Sequence, residues 1–252
     1  MKIYNKILST IEEKGAAFFI LIDPDKVDSN KLEEFIKISE NSDVDGFLVG
    51  GSLMMSEDFE IFLQKIKSLT SLPVIIFPGN VAQVSKYADA ILFISVISGR
   101  NPEHLIGKQV LAAPFIKKTN IEALGTGYIL VDSGSTTTAV YMSGSLPIPR
   151  DKSEIALATA LAAEYLGMKF VYLEAGSGAK LSVPNEMIKF VSKNLSIPVI
   201  VGGGLRSPKD VAEKVNSGAS VIIVGNFFED ENNWSLIKDF SSAAHLKKGI
   251  TV

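Results

Sequence analysis

The chain has 252 residues, 46% of them hydrophobic and 21% charged, which is enough apolar material for a sizeable core and argues against long disordered stretches. A formal charge of −3 gives no general attraction to nucleic acid or to an anionic membrane surface, so an anionic ligand must be held by local groups. The absence of cysteine excludes disulfides, thiolate metal sites and cysteine nucleophiles, and His104 and His245 are too few and too isolated for a histidine metal centre.

Residues 1–15 carry a helix-like pattern with Glu12 and Glu13 and no apolar signal-peptide core. No apolar run approaches the roughly 20 residues that span a bilayer, and a cytoplasmic protein is expected. The first strand is predicted at Ala17–Ile22 and runs into Asp23-Pro24-Asp25-Lys26. A helix over Asn30–Glu40 leads to a strand at Asp45–Val49, which ends in Gly50-Gly51-Ser52. A helix over Glu57–Leu69 and a strand at Pro73–Phe77 follow. The next segment, Asn80–Tyr87, is short, so the covering layer is expected to be thin there. Further strands are read at Ala90–Ile94 and Tyr128–Val131.

The connection Asp132–Arg150 is long and irregular, with turns marked by Gly134, Gly144, Pro147 and Pro149. Its Thr-rich stretch, Thr136–Met142, can add an extended segment, either as a wall of a site or as a structural excursion. The remaining elements are helices at Ser153–Leu166, Asn185–Asn194, Pro208–Ser217 and Asn233–Leu246, alternating with strands at Lys169–Leu173, Pro198–Val201 and Val221–Val224. Strands this continuously apolar are buried on both faces. Eight of them, alternating with helices, predict a (β/α)8 TIM barrel that forms a single domain over residues 1–252. An open doubly wound sheet is the second choice.

Three late turns share a design: Glu174-Ala175-Gly176-Ser177-Gly178, Gly202-Gly203-Gly204-Leu205-Arg206-Ser207-Pro208, and Gly225-Asn226. Each follows a strand, where glycine lets backbone N–H groups approach an oxyanion. In the second, Ser207 and Pro208 read as N-cap and first helical residue, which places a helix amino terminus beside the glycines. A glycine can also simply turn a corner. Clusters in three successive loops favour a standard phosphate site at the ends of strands 6–8.

Asp23, at the carboxyl end of the first strand, can bind Mg2+ through oxygen or act as a base. Ser52 brings a hydroxyl to the same face, although Gly-Gly-Ser is also a common turn and cap. Strand alternation puts Tyr172 and Glu174 on one side and Leu173 on the other. Glu174 is then placed to accept a proton from a polyol hydroxyl, or to form an ion pair.

Taken together, these words resemble the geranylgeranylglyceryl phosphate synthase family, which includes longer-chain prenylglyceryl phosphate synthases. The likeness rests on Leu21-Ile22-Asp23-Pro24-Asp25-Lys26, Gly50-Gly51-Ser52, Phe77-Pro78-Gly79-Asn80, Tyr172-Leu173-Glu174-Ala175-Gly176-Ser177-Gly178, Val201-Gly202-Gly203-Gly204-Leu205-Arg206 and Val224-Gly225-Asn226. It implies a barrel enzyme that joins sn-glycerol 1-phosphate to a polyprenyl diphosphate in an ether bond, with Mg2+ and loss of diphosphate. It further implies that Asp23 and Ser52 bind the metal, and that Tyr172, Leu173, Glu174, Ala175, Gly176, Ser177, Gly178, Gly203, Gly204, Gly225 and Asn226 bind the glycerol phosphate. Glu174, with Tyr172, would serve the attacking hydroxyl.

The donor implied is geranylgeranyl diphosphate, with a heptaprenyl donor or another barrel phosphate-ester enzyme as the alternatives. A homo-oligomer with at most peripheral membrane contact is implied. Some relatives carry Lys where this chain has Leu21, which leaves Lys26 and Arg206 as candidate cations.

Overall fold

The computed structural model describes residues 2–55 and 58–246. Its centre is a closed barrel of eight parallel strands in chain order, each paired with its sequence neighbours, with the last paired to the first. The strands are β1 (Ala17–Ile22), β2 (Gly46–Val49), β3 (Val74–Ile76), β4 (Ala90–Val96), β5 (Glu122–Leu130), β6 (Phe170–Glu174), β7 (Val199–Gly202) and β8 (Val221–Val224). Closure leaves no sheet edge, so the open doubly wound alternative is discarded.

Alternation along each strand divides the apolar residues into two cores. Phe19, Leu48, Leu92, Tyr128, Phe170, Tyr172 and Ile223 fill the barrel interior. Phe18, Ile20, Phe47, Val171 and Leu173 point outward and pack under the helices. The first helix, α1 (Ile3–Lys14), presents Ile7 to the interior core and closes the end of the barrel away from the site.

The outer ring contains α2 (Leu32–Asn41), α3 (Phe59–Leu69), α4 (Lys108–Thr119), α6 (Ser153–Tyr165), α7 (Asn185–Ser192), α8 (Pro208–Asn216) and α9 (Ile237–Ala244), with a short α5 (Thr138–Ser143) in the loop after β5. The predicted start of α3, at Glu57, lies outside the described residues. In α8, Ser207 Oγ accepts the Asp210 amide at 3.1 Å and Pro208 occupies the first turn, as the sequence predicts. Packing of α6 uses alanine: Ala156, Ala160 and Ala163 are fully buried, and a Cβ on Gly127 would stand 2.6 Å from Ala163 Cβ. Gly127 therefore permits close helix–strand approach.

The structure departs from the sequence reading in three places. α4, preceded by a π-helical turn at Glu103–Gly107, has no predicted counterpart because Pro102 and Pro114 read as breakers and apolar Val110, Leu111 and Phe115 lie on its exposed side. β5 begins at Glu122 rather than Tyr128, since Gly125 and Gly127 hide the strand signal. In the Thr-rich stretch Thr137 is extended, but Thr138–Met142 are helical within α5 rather than part of an extended segment. Where a thin covering layer is expected, no helix follows β3, and residues 77–89 form turns, bends and irregular backbone. None of the described helices is long and apolar enough to cross a membrane.

Candidate active site

The carboxyl ends of the strands surround an open cavity of about 250 Å³. Asp23 reaches it from β1, Gly51 and Ser52 from β2, Glu174 from β6, Gly203 and Gly204 from β7, and Gly225 and Asn226 from β8. Tyr172, Ser177 and Gly178 also line it. Leu173, Ala175 and Gly176 do not reach its wall, and the Leu173 side chain belongs to the outer core. Of the implied binding segment Tyr172–Gly178, the alternating members Tyr172 and Glu174 therefore face the cavity, together with the tip of the loop.

Glu174 is only 5% exposed, so its geometry rather than solvent determines its state. Its Oε1 accepts the Gly176 N–H at 2.5 Å. Burial pushes its carboxyl above the usual carboxylate range, against the opposing effect of hydrogen bonds from Tyr172, Gly176 and Tyr128. Burial first, and then the negative charge of Glu174, drives both tyrosines well above their ordinary value, so each stays a phenol able to donate. Gly203 has φ +83°, and a Cβ there would collide with Glu174 Oε1. The carboxylate thus occupies space that only glycine leaves open.

Tyr128 and Tyr172 are register partners on β5 and β6, with ring centroids 5.1 Å apart in a T-shaped pair. Phe77 stacks on Tyr172 at 5.8 Å. Sequence reasoning assigned no role to Tyr128 or Phe77. A tyrosine at the head of the aliphatic run Tyr128–Val131 was the available signal, and the register with Tyr172 had none.

On the opposite wall, Asp23 Oδ1 accepts the Asp25 amide at 3.1 Å, and a Cβ on Gly51 would lie 2.9 Å from Asp23 Oδ2. Burial raises the Asp23 carboxyl, opposed by the Asp25 amide and by Lys26. Lys26 is held by Glu229 at 3.3 Å, and Asn226 Nδ2 donates to the same Glu229 at 2.7 Å. Arg206 lines the cavity while its guanidinium donates to the Ala179 carbonyl at 2.8 Å. A single carboxylate beside a hydroxyl suits Mg2+, which takes few protein oxygens and completes its shell with water and substrate phosphate. No cluster of three or more His, Asp or Glu side chains placed to hold a metal occurs among the described residues.

A second, apolar cleft of about 120 Å³ opens between the helix-free segment after β3, β4 and α4. Val81, Val84, Phe93, Ile94, Ala112 and Ile116 line it. It shares Gly51, Ser52, Phe77, Tyr128 and Ala139 with the polar cavity, so the two meet along one wall.

Residues 8–244 match the profile of the PcrB family. The chain belongs to that family. Similar proteins include geranylgeranylglyceryl phosphate synthase of Chitinophaga pinensis, 45% identical over 97% of this chain and 96% of that protein. The enzyme of the same name from Methanosphaera stadtmanae is 42% identical over 97% of this chain and its own full length.

Among solved structures, (S)-3-O-geranylgeranylglyceryl phosphate synthase from Thermoplasma acidophilum in complex with sn-glycerol-1-phosphate superposes with a TM-score of 0.92, at 32% identity, covering 97% of this chain and 99% of that one. Thiamine phosphate pyrophosphorylase from Pyrococcus furiosus, at 13% identity and a TM-score of 0.61, shares the barrel fold alone. This PcrB-family barrel therefore matches such relatives along nearly its whole length, and its polar cavity and apolar cleft lie within the matched region.

Proposed function

We propose that this chain is a Mg2+-dependent prenyltransferase that joins the C3 hydroxyl of sn-glycerol 1-phosphate to geranylgeranyl diphosphate through an ether bond and releases diphosphate. The observation that carries this reading is the shared wall: a polar cavity with a buried carboxylate and glycine-lined loops adjoins an apolar cleft at Ser52, Phe77, Tyr128 and Ala139. A phosphosugar isomerase would have use for the first compartment and none for the second.

Gly203, Gly204, Gly225 and Asn226 would hold the phosphate of the acceptor. Its polyol end then lies toward Glu174, which accepts the C3 hydroxyl proton as that oxygen bonds to the allylic carbon. Tyr172 and Tyr128 orient the carboxylate and keep water from its remaining surface. Asp23 and Ser52 would hold Mg2+, which, when bound, offsets the charge growing on the departing diphosphate. The hydrocarbon tail runs into the cleft between β3, β4 and α4, away from the polar cavity. Positioning of both substrates supplies much of the rate, because an alcohol is a weak nucleophile. A homo-oligomer in the cytoplasm is the assembly we favour, supported by exposed Val110, Leu111 and Phe115 on α4.

Incubation of the protein with sn-glycerol 1-phosphate, Mg2+ and prenyl diphosphates of graded length tests the proposal. A geranylgeranyl ether product is expected. Preferred use of a heptaprenyl donor would replace the donor assignment, and no ether product with any donor would remove the activity.

A further inference from the structure

One face of α4, together with the π-helical turn before it, changes character along its length. His104, Lys108, Ala112 and Ile116 follow one another at intervals of four residues, and all four line the apolar cleft. In a βα unit the helix returns antiparallel to its strand, so the first turn of α4 stands at the carboxyl end of the barrel. Gln109 fastens it there: its side-chain amide donates to the Ile94 carbonyl of β4 and to the His104 carbonyl at 3.1 Å. Ala112 and Ile116 lie deeper and pack with Ile91 in the outer core. The face therefore runs from a cation at the barrel mouth to bare hydrocarbon below.

Charge around the cleft is one-sided. Among the described residues no carboxylate lines it, and no hydrogen bond or ion pair engages the Lys108 ammonium. Burial, and then the charge of Lys108, hold the His104 imidazole below its ordinary value, which brings the ammonium close to a neutral ring. The polar cavity is the reverse, with Asp23, Glu174, Glu229 and Asp230 in its wall beside the cation Arg206. Of the two cations expected from the sequence, Lys26 is held by Glu229, and Arg206 reaches across to the Ala179 carbonyl of the β6 loop. An anionic head whose tail enters the cleft meets Lys108 instead. Ser52 lines both compartments, so a head at their junction also adjoins the side chains assigned to Mg2+.

We propose that Lys108 binds the diphosphate of the prenyl donor, with the chain running from it along Ala112 and Ile116. This assignment rests on the proposed function and adds a cation that the strand-end residues do not supply. Lys108→Met keeps an unbranched stem in the helix and removes the charge, and Lys108→Arg retains the charge.

Equilibrium titration of the full chain and both variants with three probes tests the assignment: the unreactive thiolodiphosphate of geranylgeraniol with Mg2+, geranylgeraniol itself, and sn-glycerol 1-phosphate. Lys108→Met should weaken thiolodiphosphate binding about ten- to thirtyfold, the size of one charge-assisted hydrogen bond, while the alcohol and the glycerol phosphate bind within about twofold of the parent. Lys108→Arg should bind the thiolodiphosphate within about threefold of the parent protein.

Undiminished thiolodiphosphate binding in Lys108→Met would overturn the assignment. So would an equal loss for the alcohol, which belongs to a packing role, or a failure of arginine to restore affinity. A parent protein that binds the alcohol as tightly as its thiolodiphosphate would instead remove the donor reading itself, so the two failures are distinguishable.

Discussion

Glu174 Oε1 lies 2.5 Å from the backbone nitrogen of Gly176, so the carboxylate is tied to the loop that follows its own strand. The bond fixes Oε1 toward the loop, and the phenols of Tyr172 and Tyr128 hydrogen-bond the same carboxylate. Its neighbours are glycine on one side and two phenols on the other, which makes the position rigid as well as dry.

Replacing Glu174 by Gln keeps an oxygen for Gly176 and removes the base. We expect kcat to fall about a thousandfold, within the range typical of a lost general base. Because the folded-state carboxyl is raised by burial, its ionisation costs stability once pH exceeds the ordinary carboxylate range. Glu174→Gln should therefore melt above the parent at neutral pH, with the gain vanishing in acid. A lower melting temperature at neutral pH contradicts the burial argument.

The same raised carboxyl sets a pH dependence. Activity should rise through an apparent pKa above the usual carboxylate value near about 4.3, as the base becomes ionised. Tyr172→Phe removes a hydrogen bond that favours the charged form, so the acid limb of kcat/KM should move further up. A pH–rate profile that moves downward would exclude the phenol–carboxylate contact.

Asp23→Asn tests the cation site from a different direction. Turnover should be lost while sn-glycerol 1-phosphate binds within about twofold of the parent, because the ester is assigned to the loops of β6, β7 and β8 and not to the Asp23 carboxylate. The Mg2+-dependent part of diphosphate binding should disappear with it. Titration of the variant with a non-hydrolysable diphosphate analogue, with and without Mg2+, reads this directly.

Space at Gly203 can be tested by adding one carbon. Gly203→Ala forces a left-handed backbone on alanine and drives Cβ into Glu174 Oε1. A destabilisation of about 1–3 kcal/mol is expected, with loss of activity beyond what thermal inactivation explains. Full activity would mean that the carboxylate has room to move.

Much of the barrel was legible because its strands are short aliphatic runs buried on both faces, and because Asp, Ser and Glu terminate β1, β2 and β6 where such side chains reach the open end. Tyr172 and Glu174 follow from strand alternation alone. The failures share a cause: local pattern was overridden by tertiary packing. Gly127 makes room for Ala163, so β5 looked broken, and α4 tolerates Pro114 while carrying apolar residues on both its buried and exposed sides. Tyr128 joined the site only when closure of the sheet placed it level with Tyr172. The adjacency of two compartments has no local signature, since it depends on loops from strands far apart in the chain.

Widening a wall residue of the cleft should separate donor length from chemistry. Val84→Trp is expected to slow the geranylgeranyl donor more than a geranyl donor, with acceptor KM unchanged. Parallel losses with both donors would place the hydrocarbon elsewhere.

The missing helix after β3 has a thermodynamic corollary. Most of the barrel is insulated by protein, but along that arc Val81, Val84, Phe93 and Ile94 face a gap that only a guest of matching polarity can fill well. A bound hydrocarbon there acts as a detachable piece of the outer layer, and the folded state is completed only in its company. Thermal resistance should therefore climb with the concentration of any long-chain occupant, even one that cannot react.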